Sequence, residues 1–567
     1  MPSKHPFHDL ARLPLFDLST EEISLEKQVT QSLERAKAIQ TAYCLTETDI
    51  RTLSQVFWRM HIDPIVCLDP AATSLLTIQL NLSAGTLAAY VDDQPNHRPL
   101  LQCMLRFEVS GQFCLTELDH GLDAINIETT AFCQPDGSFV LHTPHPGAAK
   151  FMPPTSPCGI PCYAIVFARV IKQGTYCGIR GFVVQLTDGR RMAAGVTSRV
   201  LPPRRGAHFV QHCITSFNMV RLPQTAMLGT LDGTGDTRLD FFQAIWRVAI
   251  GSLAIGSAAI PILQMSAYIA GRYSQRRRVH NGGKLVPIIS FKTQNAPILT
   301  ALAQAAVLKA FFQTAIDIFT ADAEDPRVKH GIAVIFKVTA IQHGQAANLE
   351  LSERCGAQGL FHHNQLSALF ADMRGIAIAE GDLLGTSIRL ASELVLGRYT
   401  MPESINPESL LARHEIGLLS HCRQVLATVG HHRSDAFSRM LLPRAQKIVQ
   451  SIGHRMAYDA AVAAGVDQAM VDLYLRTAIR TDEAWYSEHF GMSAEVQFAQ
   501  EDEALSTALP LLDSWLDATN VDPYVRAPIA SDARWKGFVD GLTVMTRQDD
   551  LRGVEDAEYN DMIRAHL

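Results

Sequence analysis

Phe113-Cys114-Leu115-Thr116-Glu117-Leu118-Asp119-His120-Gly121 is where the chain changes character. Before it, apolar residues recur at helical spacing. Thr20-Glu21-Glu22 reads as a helix start with an N-cap and early acids, followed by Val29, Leu33 and Ala36. Leu75 to Tyr90 suits a buried helix. After it come strand-like runs, Phe139-Val140-Leu141-His142, Tyr163 to Ala168 and Gly181 to Leu186. Turn residues at Pro135-Asp136-Gly137 and Asp188-Gly189 divide them. From about residue 240 the spacing is helical again, including Leu410 to Val429 and Ala436 to Ala464. The expected fold class is α+β multidomain. An N-terminal helical domain (1–112) precedes a central β-barrel-like domain (113–230), a four-helix-bundle domain (231–402) and an extra C-terminal helical domain (403–567).

Composition narrows the function classes. The 567 residues exceed one compact core, and 47% apolar with 19% charged residues is an ordinary globular balance. A formal net charge of -7 argues against a nucleic-acid binder that relies on phosphate contacts, and Arg276-Arg277-Arg278 is the densest basic run. Eleven cysteines lack a paired framework, and Cys158 and Cys162 have no matching pair at zinc spacing. Reduced thiols of an intracellular protein are expected. The N-terminus lacks the apolar core of a secretory signal, which leaves the sequon Asn81-Leu82-Ser83 no compartment in which to act. Val248 to Gly271 carries no charge and invites a membrane-span reading. Gln264, Pro261 and many small residues instead fit a helix packed closely inside a bundle.

Ala377-Ile378-Ala379-Glu380-Gly381-Asp382-Leu383-Leu384 holds the chemistry candidate. A carboxylate in an apolar run is pushed toward the working range of a general base, and a following glycine lets backbone come close. The other reading is an acidic residue beside a helix N-terminus. No Gly-x-Gly-x-x-Gly, Walker loop or Gly-x-Ser-x-Gly elbow occurs. His120, His362-His363 and His431-His432 lack partners at metal-ligand spacing, so no metal is expected.

Several motifs in order resemble the acyl-CoA oxidases, a branch of the acyl-CoA dehydrogenase flavoprotein superfamily. Thr116-Glu117-Leu118-Asp119-His120-Gly121 resembles their Thr-Glu-Leu-x-His-Gly signature, and Ile127-Glu128-Thr129-Thr130-Ala131 their Leu-Glu-Thr-Thr-Ala. Val140 to Pro144, Ala149-Lys150-Phe151, Phe217 to Pro223, Arg272-Tyr273-Ser274 with Arg277-Arg278, Thr293-Gln294 and Cys355 to Gly359 follow in family order. Glu380-Gly381 then falls at the catalytic Glu-Gly. The resemblance covers residues 110 to 400.

It implies FAD-dependent oxidation of an acyl thioester to the 2,3-unsaturated product. Glu380 would be the base, with Gly381 beside the substrate. Flavin N5 would accept the β-hydride, and O2 would reoxidise the flavin to give peroxide. It implies FAD contacts at Thr116, Gly121, Lys150, Phe151, Arg277, Gln294, Gly356 and Gly359. FAD would sit partly across a subunit interface, hence a homodimer. The closing Ala565-His566-Leu567 resembles a peroxisomal address, so a peroxisomal location is expected, otherwise cytoplasmic.

Departures cluster around the expected flavin and acyl sites: Asp119 and Leu122 flank His120-Gly121, Phe151-Met152 replaces two tryptophans, Ala357-Gln358 replaces Gly-His, and Asp382 follows Glu380-Gly381. They point to a divergent member. A dehydrogenase or biosynthetic desaturase using another acceptor or a carrier-bound substrate stays open, as does a non-catalytic thioester-binding scaffold.

Overall fold

The structure is a computed structural model that describes residues 6–17, 23–204, 206–232, 235–429 and 431–545. Thr20-Glu21-Glu22 and Ala565-His566-Leu567 lie outside the described residues. The first long helix, Leu25–Tyr43, is capped by Ser24, whose side chain accepts from Lys27 N. Buried Arg35 binds Asp69 at 3.0 Å and ties this helix to Pro70–Leu76. The expected buried helix over Leu75 to Tyr90 is present, but its centre, Thr77–Ala84, is wound as a π-helix.

Nine strands follow: β1 (Ser110–Cys114), β2 (Thr130–Cys133), β3 (Phe139–His142), β4 (Lys150–Phe151), β5 (Cys162–Lys172), β6 (Thr175–Thr187), β7 (Val196–Val200), β8 (Cys213–Phe217) and β9 (Val220–Leu222). The long β5–β6 hairpin is the spine. Its two-residue loop, Gln173-Gly174, has φ of 50° and 78°, the left-handed pair that matches strand twist. Both β1 and β2 lie parallel along β5, and β3 and β9 extend that sheet. A second sheet runs β4-β8-β7. Phe139, Leu141, Val166, Phe182, Val184 and Phe217 fill the core of this β part.

The second helical part is built from Trp246–Gly256, Ala259–Arg276, Lys292–Thr320, Pro326–Arg354, Leu366–Ile376 and Leu383–Val395. The apolar run Val248 to Gly271 is two helices joined at Ser257-Ala258, and 83% of its most apolar window is buried inside the protein. A hairpin, β10 (Arg278–Asn281) with β11 (Lys284–Pro287), interrupts the expected all-helical stretch. Its turn, Gly282-Gly283, has φ of 55° and 78°. The C-terminal helix Ala445–Ala463 packs on Lys292–Thr320, Pro326–Arg354 and Leu383–Val395, so one apolar core runs through both helical regions. The expected helix over Ala436 to Ala464 is broken at Leu442–Arg444, where Pro443 removes a backbone donor.

Candidate active site

Glu380 sits in the turn between Leu366–Ile376 and Leu383–Val395. The turn is left-handed at Glu380 (φ 56°) and at Gly381 (φ 101°). The second angle is open to glycine and strained for any residue with a Cβ. Asp382, not Glu380, serves the following helix: its carboxylate caps it by accepting from Gly385 N at 2.8 Å. That replaces the helix-start reading of Glu380 and explains the acidic residue after Glu380-Gly381.

Freed from capping, the Glu380 carboxyl turns inward onto the Trp246–Gly256 helix. A Cβ built on Gly251 would lie 2.6 Å from Glu380 Cδ and 2.8 Å from Asn81 Nδ2. Loss of water raises the Glu380 carboxyl to about 8, opposed by the positive charge of Lys337. Lys337, in the middle of Pro326–Arg354, is 1% exposed. Its Nζ donates to Ala379 O and to Gly381 O, the latter at 2.6 Å. Burial brings Lys337 down to about 8 against the pull of Glu380 and Asp382. The N–H groups of Glu380 and Gly381 donate to no acceptor among the described residues.

Asn81, in the π-helical segment, is fully buried and donates to Arg247 O at 3.0 Å. The asparagine of the sequon is therefore a core residue. As site residues, Gly251 and Lys337 carry no sequence motif, and Asn81 is legible only as the asparagine of the sequon. The available signal was a lone cation in the apolar run Ile332 to Ile341.

The expected flavin-contact residues fall into two groups. In the first, Phe151 N donates to Thr116 O at 3.0 Å, and Leu118 N to Ala149 O at 3.0 Å. Thr116 and Phe151 are thus neighbours, both half-buried. Lys150 is wholly buried, with its Nζ 2.8 Å from Glu117 Oε1 and 3.1 Å from Leu115 O. Glu117 also accepts from Glu128 N at 2.6 Å and Thr129 N at 2.9 Å. The Lys150 side chain therefore braces the loop, and any contact with a bound group there would come from main chain. Gly121 is exposed in the same loop. Leu122 reaches Gly385: a Cβ there would lie 2.9 Å from a Leu122 methyl. This sets the loop against the helix that follows Glu380.

The second group gathers where three helices end. Gln294 Nε2 donates to Ser274 Oγ and to Arg354 O, each at 2.8 Å, so its amide nitrogen is occupied internally. Gly359 packs on the same helix end, where a Cβ would fall 2.0 Å from Ser352 O. Gly356 has φ 57° and open space beyond its Cα. Arg277 is exposed, and its guanidinium makes no hydrogen bond or ion pair among the described residues. No hydrogen bond or ion pair joins the two groups among the described residues.

The β part also grips the Leu366–Ile376 helix. His208 Nδ1 lies 2.7 Å from Asp372 Oδ2, and His208 N donates to Oδ1 at 2.9 Å. Burial opposes the charge on His208, but Asp372 outweighs it and raises the imidazole to about 9. Among the described residues, no three His, Cys, Asp or Glu side chains are placed to hold a metal ion. A groove of about 710 Å³ lined by His97, Tyr163, Gln185, Asn218 and Arg221 lies on the β part and includes none of the expected site residues.

Residues 250–391 match the acyl-CoA oxidase C-alpha1 domain. Peroxisomal acyl-coenzyme A oxidase 3 of Homo sapiens is 28% identical over 414 residues, 66% of this chain and 57% of that protein. Acyl-coenzyme A oxidase 1 of Yarrowia lipolytica is 24% identical over 407 residues, 66% of this chain and 58% of that protein. The chain thus matches less than two thirds of the length of these relatives. Among solved structures, acyl-CoA oxidase 1 of Yarrowia lipolytica superposes with a TM-score of 0.80 at 17% identity, covering 99% of this chain and 91% of that one. Acyl-CoA oxidase-1 of Caenorhabditis elegans, solved with FAD and ATP, superposes with a TM-score of 0.79 at 16% identity, covering 99% and 93%.

Proposed function

We propose, taking the chain as a member of the acyl-CoA oxidase flavoprotein superfamily, that it oxidises an acyl-CoA thioester to the 2,3-unsaturated product with Glu380 as the base. The observation that carries this reading is the Glu380 carboxyl itself, seated on Gly251 in a left-handed turn, with its proton affinity raised to about 8. The α-proton of a thioester is weakly acidic, so its removal needs a base held close and kept out of water. Among the described residues, Glu380 accepts no hydrogen bond that would compete for its lone pairs. As the proton leaves, negative charge grows on the thioester oxygen. The N–H of Glu380, which donates to no acceptor among the described residues, would be a donor to that oxygen, and that of Gly381 is equally unengaged.

The residues present fit FAD. Arg277 offers an unengaged planar fork for phosphate oxygens. Gly356 offers open backbone at φ 57°, and half-buried Thr116, beside Phe151, offers a hydroxyl. FAD, when bound, would supply the acceptor for the β-hydride. Solved relatives from Caenorhabditis elegans carry it, one of them with an ascaroside-CoA. Lys150 and Gln294 enter as braces of their loops, and Gly359 as a close-packing residue. O2 as final acceptor, a homodimer sharing the FAD site, and a peroxisomal location follow the same reading; the human relative is named peroxisomal.

The test is anaerobic bleaching of the FAD-bound protein by a panel of acyl-CoAs, in the wild type and in Glu380→Gln. The expected result is bleaching only in the wild type, with FAD retained in both and peroxide formed when air is admitted. Normal bleaching by Glu380→Gln would remove Glu380 from the role of base. Bleaching without peroxide would move the protein to the dehydrogenases.

A further inference from the structure

We infer that Lys337 is the positioning residue for the base: its buried ammonium, held between the carbonyls of Ala379 and Gly381, fixes the turn that presents Glu380 and sets the field that the carboxylate feels. The inference rests on Glu380 acting as base. Three observations support it. The two carbonyls that Lys337 Nζ engages belong to the residues immediately before and after Glu380. They bracket a residue at φ 56°, a conformation that a side chain with a Cβ adopts only when its surroundings impose it.

The stem of Lys337 is equally constrained. A Cβ on Gly256 would lie 3.1 Å from Lys337 Cα and Cβ, so two helix backbones meet at this point. Gly251, on the same helix one turn and a half earlier, receives the Glu380 carboxyl. One helix therefore seats both the base and the stem of the residue that holds its turn.

The third observation is charge. Lys337 makes no ion pair among the described residues, although it is 1% exposed. The charged groups that act on it are Glu380 and Asp382, both on the turn, and the packed helix Trp246–Gly256 brings the Gly256 backbone against its stem. A neutral donor such as glutamine is shorter by one bond and carries no charge. Only a cation also favours the ionised form of Glu380 against the loss of water.

The test follows the Glu380 carboxyl directly, by infrared titration of its C=O stretch in the FAD-bound protein, assigned by its absence in Glu380→Gln. In Lys337→Gln the titration is expected to move up by about one pH unit. Flavin reduction by octanoyl-CoA is expected to slow on the order of 100-fold. FAD should stay bound, and kcat should fall more than KM changes. An unmoved titration together with a wild-type reduction rate overturns the inference. Should Lys337→Gln not fold, Lys337→Arg takes its place: the retained charge keeps the titration near wild type, while the larger fork displaces the turn and slows reduction. A wild-type rate in Lys337→Arg overturns the positioning role. If Glu380→Gln itself still reduces flavin, the base assignment fails, and the titration shift in Lys337→Gln still decides whether the cation acts on that carboxyl.

Discussion

The Glu380 carboxyl rests against the bare Cα of Gly251, so close that a Cβ there would lie 2.6 Å from Glu380 Cδ and 2.8 Å from Oε1. Gly251→Ala places a methyl group in that space. In an exposed helix, alanine is favoured over glycine by about 1 kcal/mol. Here the carboxyl must move, and displacement of a base by about 1 Å costs on the order of 100-fold in rate. Stopped-flow flavin reduction is expected to show that loss while FAD stays bound. A wild-type rate would mean that the carboxyl swings clear before reacting.

The raised proton affinity of Glu380 has a sign for stability. The carboxyl goes from 4.5 to about 8 on folding, so the folded state holds the proton more tightly. Its contribution is complete below pH 4.5 and is lost as pH rises through about 8. Glu380→Gln removes that loss. Above pH 8 the variant is expected to be more stable than the wild type by on the order of 2 kcal/mol, with the two converging near pH 4. Urea unfolding across that range checks it, and parallel curves would show that folding leaves the proton affinity of the carboxyl unchanged. Flavin reduction in the wild type should rise with pH to a plateau above about 8, because only the ionised carboxylate accepts the proton.

Lys150 and Glu117 are both fully buried and 2.8 Å apart. Lys150→Met leaves the Glu117 carboxyl with the N–H groups of Glu128 and Thr129 as its partners among the described residues. The expected cost is about 3–5 kcal/mol in unfolding free energy, because one buried charge loses its counter-ion. FAD content should fall only in step with folded protein. A variant of unchanged stability that cannot hold FAD would instead make Lys150 a direct ligand.

Arg277 gives the opposite expectation. Its guanidinium is exposed and unengaged among the described residues, so Arg277→Ala should leave the thermal midpoint of the apoprotein within about 1 °C. FAD affinity should fall at least about tenfold, the worth of one charge-assisted phosphate contact. Fluorescence titration of apoprotein with FAD measures it, and unchanged affinity would place the pyrophosphate elsewhere.

The order of helix, strand and helix could be read along the chain because periodicity is local. Alternation in Phe139–His142 and Gly181–Leu186, and small-residue helical spacing from Val248 to Gly271, each report their own neighbourhood. Glu380 could be singled out for the same reason, as a carboxylate in an apolar run followed by glycine. The π-helical winding of Thr77–Ala84 was not legible, because it differs from α-helix only in hydrogen-bond offset. The β10–β11 hairpin was hidden in a polar stretch with charged strand residues.

The sequence by itself determined the class of fold, the family resemblance and the identity of the candidate base. Tertiary structure alone decided what that base touches. Lys337 meets the turn of Glu380 across 42 and 44 residues of sequence, Gly251 lies 129 residues before the carboxyl it receives, and Asn81 meets Arg247 O across 166. It also decided that Lys150 is a brace and that Asp382 caps a helix. The physical reason is range. Backbone preferences and hydrophobic spacing act over a few residues and leave a periodic trace, whereas the proton affinity of a carboxyl depends on lost water and on charges brought near it only when distant helices pack.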